Sequence, residues 1–138
     1  MYGLCFNYDP RLEQFWDKHI SFFGIENAWV RNRPREVKKR YEAIDIESYS
    51  ELPKNRPLIL LQHVNAPHIK PEKELHEHKP DTDNIYVFGL DTADAKPEEF
   101  EDSNYKSCVS VTHSSEDNYS FMIASIVFYY LQGLSNGN

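Results

Sequence analysis

Ten consecutive residues at positions 31–40, RNRPREVKKR, hold six cations (Arg31, Arg33, Arg35, Lys38, Lys39 and Arg40) against one acid, Glu36. Clustered guanidinium and ammonium groups can neutralise several phosphates of a nucleic acid at once, with an affinity that falls steeply in salt. A solvated charged loop would have the same composition. The charge balance favours the phosphate reading: the segment carries +5, and the rest of a chain of net charge −7 therefore carries −12. The cations are concentrated in one place, not scattered as background.

Other groups offer weaker chemistry. Gly89 closes the apolar run NIYVFG, and a glycine at the end of a buried strand lets backbone approach a ligand closely, or simply makes a turn. Thr112-His113-Ser114-Ser115 presents hydroxyls and backbone donors suited to an adenine or a ribose, or to the start of a helix. His63, His68, His76 and His78 are interspersed with Glu72, Glu74 and Glu77, but no recognised metal-ligand spacing occurs and prolines interrupt the segment, so no metal is expected. Cys5 and Cys108 have no base nearby in sequence and are too few for a disulfide framework.

The elements that must position these groups alternate between strand and helix patterns. Tyr2–Phe6 is an apolar run. Asp9-Pro10 then reads as a helix start, followed by Leu12, Phe15, Trp16, His19, Ile20 and Phe23 at helical spacing and a stop at Gly24. Strands are predicted at Asn27–Val30, Ala43–Ile46, Pro57–Gln62, Asn84–Gly89 and Cys108–Thr112. Short helical turns are predicted at Ser48–Leu52 and from Pro97. The final helix, opening near Asp117, Asn118 or Ser120 and stopping near Gly133, is apolar nearly all round, so it must be covered by the core or by a second subunit.

Several of these strands are continuously apolar. They predict one α/β domain over residues 1–138, a mostly parallel sheet with helices on both faces. Ligands of such sheets bind beyond the carboxyl ends of the strands, at the loops that begin at Gln62, Gly89 and Thr112. Apolar residues form 40% of the chain, enough for a core. The start of the chain lacks the layout of a secretory signal, and Phe121–Leu131 is too short to cross a bilayer. A soluble cytoplasmic protein is expected.

At those three loops the sequence resembles the SpoU-type (TrmH-like) RNA methyltransferases of the SPOUT superfamily, and the order of features agrees along nearly the whole chain. FWDKHISFFGIENAWV resembles the family's first motif, a helix bearing an arginine before the second strand, with Lys18 in the arginine's place. RNRPREVKKRY stands where the family often has a basic patch. IYVFGLDTADA resembles the second motif, keeping Phe88-Gly89 but placing Leu90-Asp91 where Pro-Glu is usual. VSVTHSSEDNYSFMIASIVFYYL resembles the third, with Tyr119 nearest the expected asparagine and Ser120 beside it.

The resemblance implies S-adenosylmethionine as cofactor, a C-terminal trefoil knot, a homodimer through the last helix, and methylation of an RNA ribose 2′-hydroxyl, with tRNA as the expected substrate. Carried onto this chain, it assigns catalysis to Lys18, Asp91 and Ser120. It assigns cofactor binding to Gln62, His63, Phe88, Gly89, Leu90, Val111, Thr112, Ser114 and Ser115, and RNA binding to the six cations of 31–40. Lys18 supplies charge but not the planar fork of an arginine. The substitutions at Lys18, Leu90, Asp91 and Tyr119 keep open a SPOUT-fold module that binds RNA or protein without catalysis. An unrelated nucleotide-binding α/β domain sharing only the sheet is a third possibility.

Overall fold

The computed structural model describes residues 2–34, 36, 43–89, 95–111 and 120–136. Seven strands make one sheet: β1 Gly3–Asn7, β2 Asn27–Arg31, β3 Ile44–Ile46, β4 Leu58–Leu61, β5 Lys73–Glu74, β6 Ile85–Phe88 and β7 Tyr105–Ser110. Their order is β3-β2-β1-β6-β4-β7-β5, and every pairing is parallel. All residues of β1, β4 and β6 are buried. This is what continuous apolar runs such as LILL and IYVF require, because they have no polar face to give to water. The two-residue β5 was not predicted, since Lys-Glu carries no apolar signal; it is held at the sheet edge by pairing with β7.

The two α-helices, α1 Glu13–Phe23 and α2 Ser120–Asn136, pack against each other and on the same side of the sheet. Alternation along the strands decides which residues meet them. Leu4, Phe6, Val30, Ile59, Leu61, Tyr86 and Phe88 point toward Trp16, Ile20, Ala124, Val127, Phe128 and Leu131. Trp16 stacks on Phe6 with centroids 4.5 Å apart.

The opposite face presents Cys5, Trp29, Leu58, Leu60, Ile85, Val87 and Cys108. Among the described residues it is covered not by α-helices but by 3-10 turns, Tyr49–Glu51 and Pro97–Phe100, whose Tyr49 and Phe100 rings stack at 4.6 Å. Pro53 and Pro57 leave the β3–β4 connection no room for a longer helix. Ser48 and Glu51 form a reciprocal capping box: the Glu51 carboxylate accepts the Ser48 N–H at 2.8 Å and Ser48 Oγ accepts the Ser50 N–H at 3.3 Å.

Helix ends differ from expectation in two places. Asp9 does not cap α1: its carboxylate takes the backbone N–H and guanidinium of Arg11, making a separate turn before the helix begins at Glu13. Gly24 does end it, in the left-handed conformation at φ 61°, while the Ile25 N–H reaches Ile20 O at 3.0 Å. Gly133 does not stop α2. It takes a helical conformation and the helix runs on to Asn136. Among the described residues no helix is long and apolar enough to cross a membrane. The expected knot involves chain that lies in part outside the described residues.

Candidate ligand site at the carboxyl edge of the sheet

Strand order reverses between β1 and β6, which run side by side while their successors in sequence lead to opposite edges. At such a junction the carboxyl ends open a crevice. Asn7, the last residue of β1, bridges it: the buried side-chain amide donates to Phe88 O at 3.0 Å and to the Tyr49 hydroxyl at 3.1 Å. The Arg31 guanidinium lies 4.3 Å from the centre of the Tyr49 ring and pairs with Glu99 at 2.8 Å. Burial first, then the neighbouring Cys5, pushes the Tyr49 hydroxyl above its ordinary value, against the Arg31 charge. Burial likewise raises the Cys5 and Cys108 thiols to about 12. Neither sulfur is a nucleophile at neutral pH.

A second set of contacts joins the loops that follow β4 and β6. Gln62 Nε2 donates to Ile69 O at 2.5 Å, and Gln62 Oε1 accepts the Ala95 N–H at 3.1 Å. The same side chain touches the Cys108 thiol of β7. Ser120, at the first position of α2, donates through Oγ to Gly89 O at 3.1 Å, tying the helix to the end of β6. Among the described residues no atom lies within 4 Å of where a Cβ would stand on Gly89, and its φ is not in the left-handed region. Relief of backbone strain is not what this glycine provides.

The structure thus brings Gln62, Phe88, Gly89 and Ser120 together at one end of the sheet, with Val111 half-buried just past β7. His63 is half-buried and its Nδ1 accepts the Asn65 N–H at 3.2 Å. Leu90, Asp91, Thr112, Ser114 and Ser115 lie outside the described residues. Lys18 is exposed on α1, and no described residue pairs with it.

Arg31 and Arg33 belong to internal pairs. Arg33 grips both carboxylate oxygens of Asp45 at 2.7 and 2.9 Å and donates to Ala43 O, with its side chain only 2% exposed. These two cations brace the outer strands. Arg35, Lys38, Lys39 and Arg40 lie outside the described residues. Asn7, Tyr49 and Glu99, which organise the crevice, were not singled out in sequence; an asparagine ending an otherwise apolar strand was their one visible signal.

Glu74, His76 and Glu77 offer ligand atoms within 4.8 Å of one another. The two glutamates are accounted for by a reciprocal cap of the turn Leu75–Glu77, in which the Glu74 N–H donates to Glu77 Oε1.

No family profile and no curated protein matches this sequence. A structural match is found with a protein from Porphyromonas gingivalis assigned to the TrmH family of RNA methyltransferases, at a TM-score of 0.66 over 92% of this chain and 14% identity. The fold is TrmH-like. The likeness read from the motifs therefore holds at the level of architecture, across nearly all of the chain. This chain covers 58% of the length of that neighbour.

Proposed function

We propose that this chain is an S-adenosylmethionine-dependent RNA methyltransferase acting on a ribose 2′-hydroxyl, with tRNA as the substrate class. The observation that carries the reading is the TrmH-like fold spanning 92% of the chain. The sheet is parallel throughout and its strand order reverses between β1 and β6, with β4 beside β6; a ligand of such a sheet belongs at the carboxyl ends of these strands. Ile69 O and Ala95 N–H, an acceptor and a donor held by the two ends of the Gln62 amide, are together the complement of an adenine edge, which supports this reading.

When bound, the cofactor supplies a methyl group on a sulfonium centre. The work of the chain is to hold a ribose oxygen in line with it and to favour loss of the hydroxyl proton. Lys18 supplies positive charge to the adjacent phosphate, Asp91 takes the acidic role, and Ser120 holds Gly89 through its carbonyl. Arg35, Lys38, Lys39 and Arg40 anchor the RNA, on a segment whose base is fixed by the Arg31–Glu99 and Arg33–Asp45 pairs.

The active unit is a homodimer. Phe22 (81% exposed), Tyr129 (75%), Ile126 and Met122 leave an apolar surface on α1 and α2, beside a groove lined by Phe23, Ser125, Tyr130 and Leu134. A continuous apolar patch of this kind calls for a protein partner.

A noncatalytic RNA- or protein-binding module is the second reading, favoured by Lys18, which lacks the bidentate fork of an arginine. Purified protein, RNA and methyl-labelled S-adenosylmethionine decide between them. Label in RNA, reduced at least tenfold by Lys18→Ala, supports the enzyme. No transfer at any salt concentration sinks it, and retained RNA binding would then leave the module.

A further inference from the structure

The geometry points to Gln62 as a built-in stopper, its side chain occupying the position where the adenine ring of the cofactor would be read. This rests on the cofactor reading above and adds a regulation of that site.

A primary carboxamide carries a donor and an acceptor on one carbon, Nε2–H and Oε1. Adenine carries the same pair on one ring carbon, the amino N6–H and N1. This shared pattern is why glutamine and adenine edges pair bidentately with each other. It also means that a protein site complementary to one is complementary to the other. Gln62 uses both halves of its amide: Nε2 donates to Ile69 O at 2.5 Å, and Oε1 accepts from Ala95 N at 3.1 Å. Its partners are main-chain groups of two different loops, those following β4 and β6, which is where the ligand of this sheet belongs.

Ala95 is buried, so without Gln62 its N–H would lack a partner among the described residues. An incoming adenine would satisfy both groups as the side chain swings out. Gln62 is only half-buried, packed against the Cys108 thiol on one side, so its displacement does not require the core to open. The wild-type chain therefore binds cofactor more weakly than its fold permits, and binding is coupled to a rotamer change at one residue.

The experiment is calorimetric titration of the full chain and of Gln62→Ala with S-adenosylhomocysteine, adenosine and S-ribosylhomocysteine, which lacks the base. The stopper predicts that Gln62→Ala binds S-adenosylhomocysteine at least tenfold more tightly than wild type, with a similar gain for adenosine and none for S-ribosylhomocysteine. If Gln62→Ala does not fold, as judged by circular dichroism, Gln62→Glu decides: it keeps the acceptor for Ala95 N–H but sets an oxygen against Ile69 O, so it too should gain affinity. Wild type that binds S-adenosylhomocysteine, with equal or weaker binding in both variants, overturns the stopper and leaves the cofactor site standing. No binding by any form overturns both.

Discussion

The helical face and the turn-covered face of the sheet are closed by different means. On the helical face, α1 and α2 supply large aromatic contacts: Trp16 on Phe6 and Phe88, and Phe128 against Tyr86. Yet their outer surfaces keep Phe22, Ile126 and Tyr129 in water. Among the described residues the turn-covered face has no α-helix. It is closed by short turns, a capping box, the Tyr49–Phe100 stack and the Arg31 cation over Tyr49. One face is strong in packing but unfinished on its outside. The other is finished with polar devices. The lesson is that one sheet can be closed by helices or by polar turns, and the helical covering leaves Phe22, Ile126 and Tyr129 exposed.

The sharpest way to break the comparison is at Trp16. Trp16→Ala removes a fully buried indole and should cost about 3–5 kcal/mol in a urea unfolding curve. A loss under about 1 kcal/mol would mean that the helices are not the main source of burial. Next is the outside of the same face. A double substitution, Ile126→Asp with Tyr129→Asp, should raise the dimer dissociation constant at least 100-fold, about 2.7 kcal/mol, in sedimentation equilibrium. A wild-type chain that sediments as a monomer at micromolar concentration would undo the idea that this face is unfinished.

His19 gives the helical face a dependence on pH in the acid range. It sits among Trp16, Phe23 and Phe128. The Ser125 hydroxyl donates to Phe121 O, so its oxygen is left to accept from His19 Nδ1 at 3.3 Å. Nε2 then keeps a bare lone pair in a buried position. Burial lowers the imidazole to about 4 from an ordinary 6.5. The folded chain therefore binds fewer protons than the unfolded one between those values, and stability falls as pH drops from 6.5 to 4 and levels off below. Discounted for partial solvent access, the loss is about 2 kcal/mol. It should be visible as a steeper acid decline in wild type than in His19→Gln; parallel curves would refute it. The smallest effect belongs to the turn-covered face, where Ser48→Ala should cost about 1 kcal/mol in the same urea assay through the lost cap.

The sheet was legible where chemistry was local. LILL and IYVF must be buried on both faces whatever surrounds them, and helical spacing from Leu12 to Phe23 marks α1 even though its first turn was misplaced. Gly133 misled because a glycine can stop a helix but is not bound to, and nothing in the neighbouring residues shows which occurs. Lys73–Glu74 became a strand only because β7 offers it an edge.

The strand ends were legible, and the contacts around them were not. Strand ends announced Gln62 and Gly89. That Arg31 and Arg33 would be held by Glu99 and Asp45 could not be read from a basic run, since each partner is brought in by the fold. Composition counted them as phosphate anchors; packing turned them into struts.

One property of the parallel sheet bears on how the chain is made. β1 lies centrally, between β2 and β6, and its bond from Asn7 to Phe88 spans 81 positions. At about 5–20 residues per second, a ribosome needs roughly 4–16 s to deliver β6 after β1. During that interval Leu4, Cys5 and Phe6 can pair on one side only, with an apolar open edge on the other. An open edge of that kind recruits any free strand it meets. The nascent chain is therefore most vulnerable between the synthesis of β2 and that of β6, and slowing the ribosome over that stretch should lower the soluble yield of a protein whose finished form is unchanged.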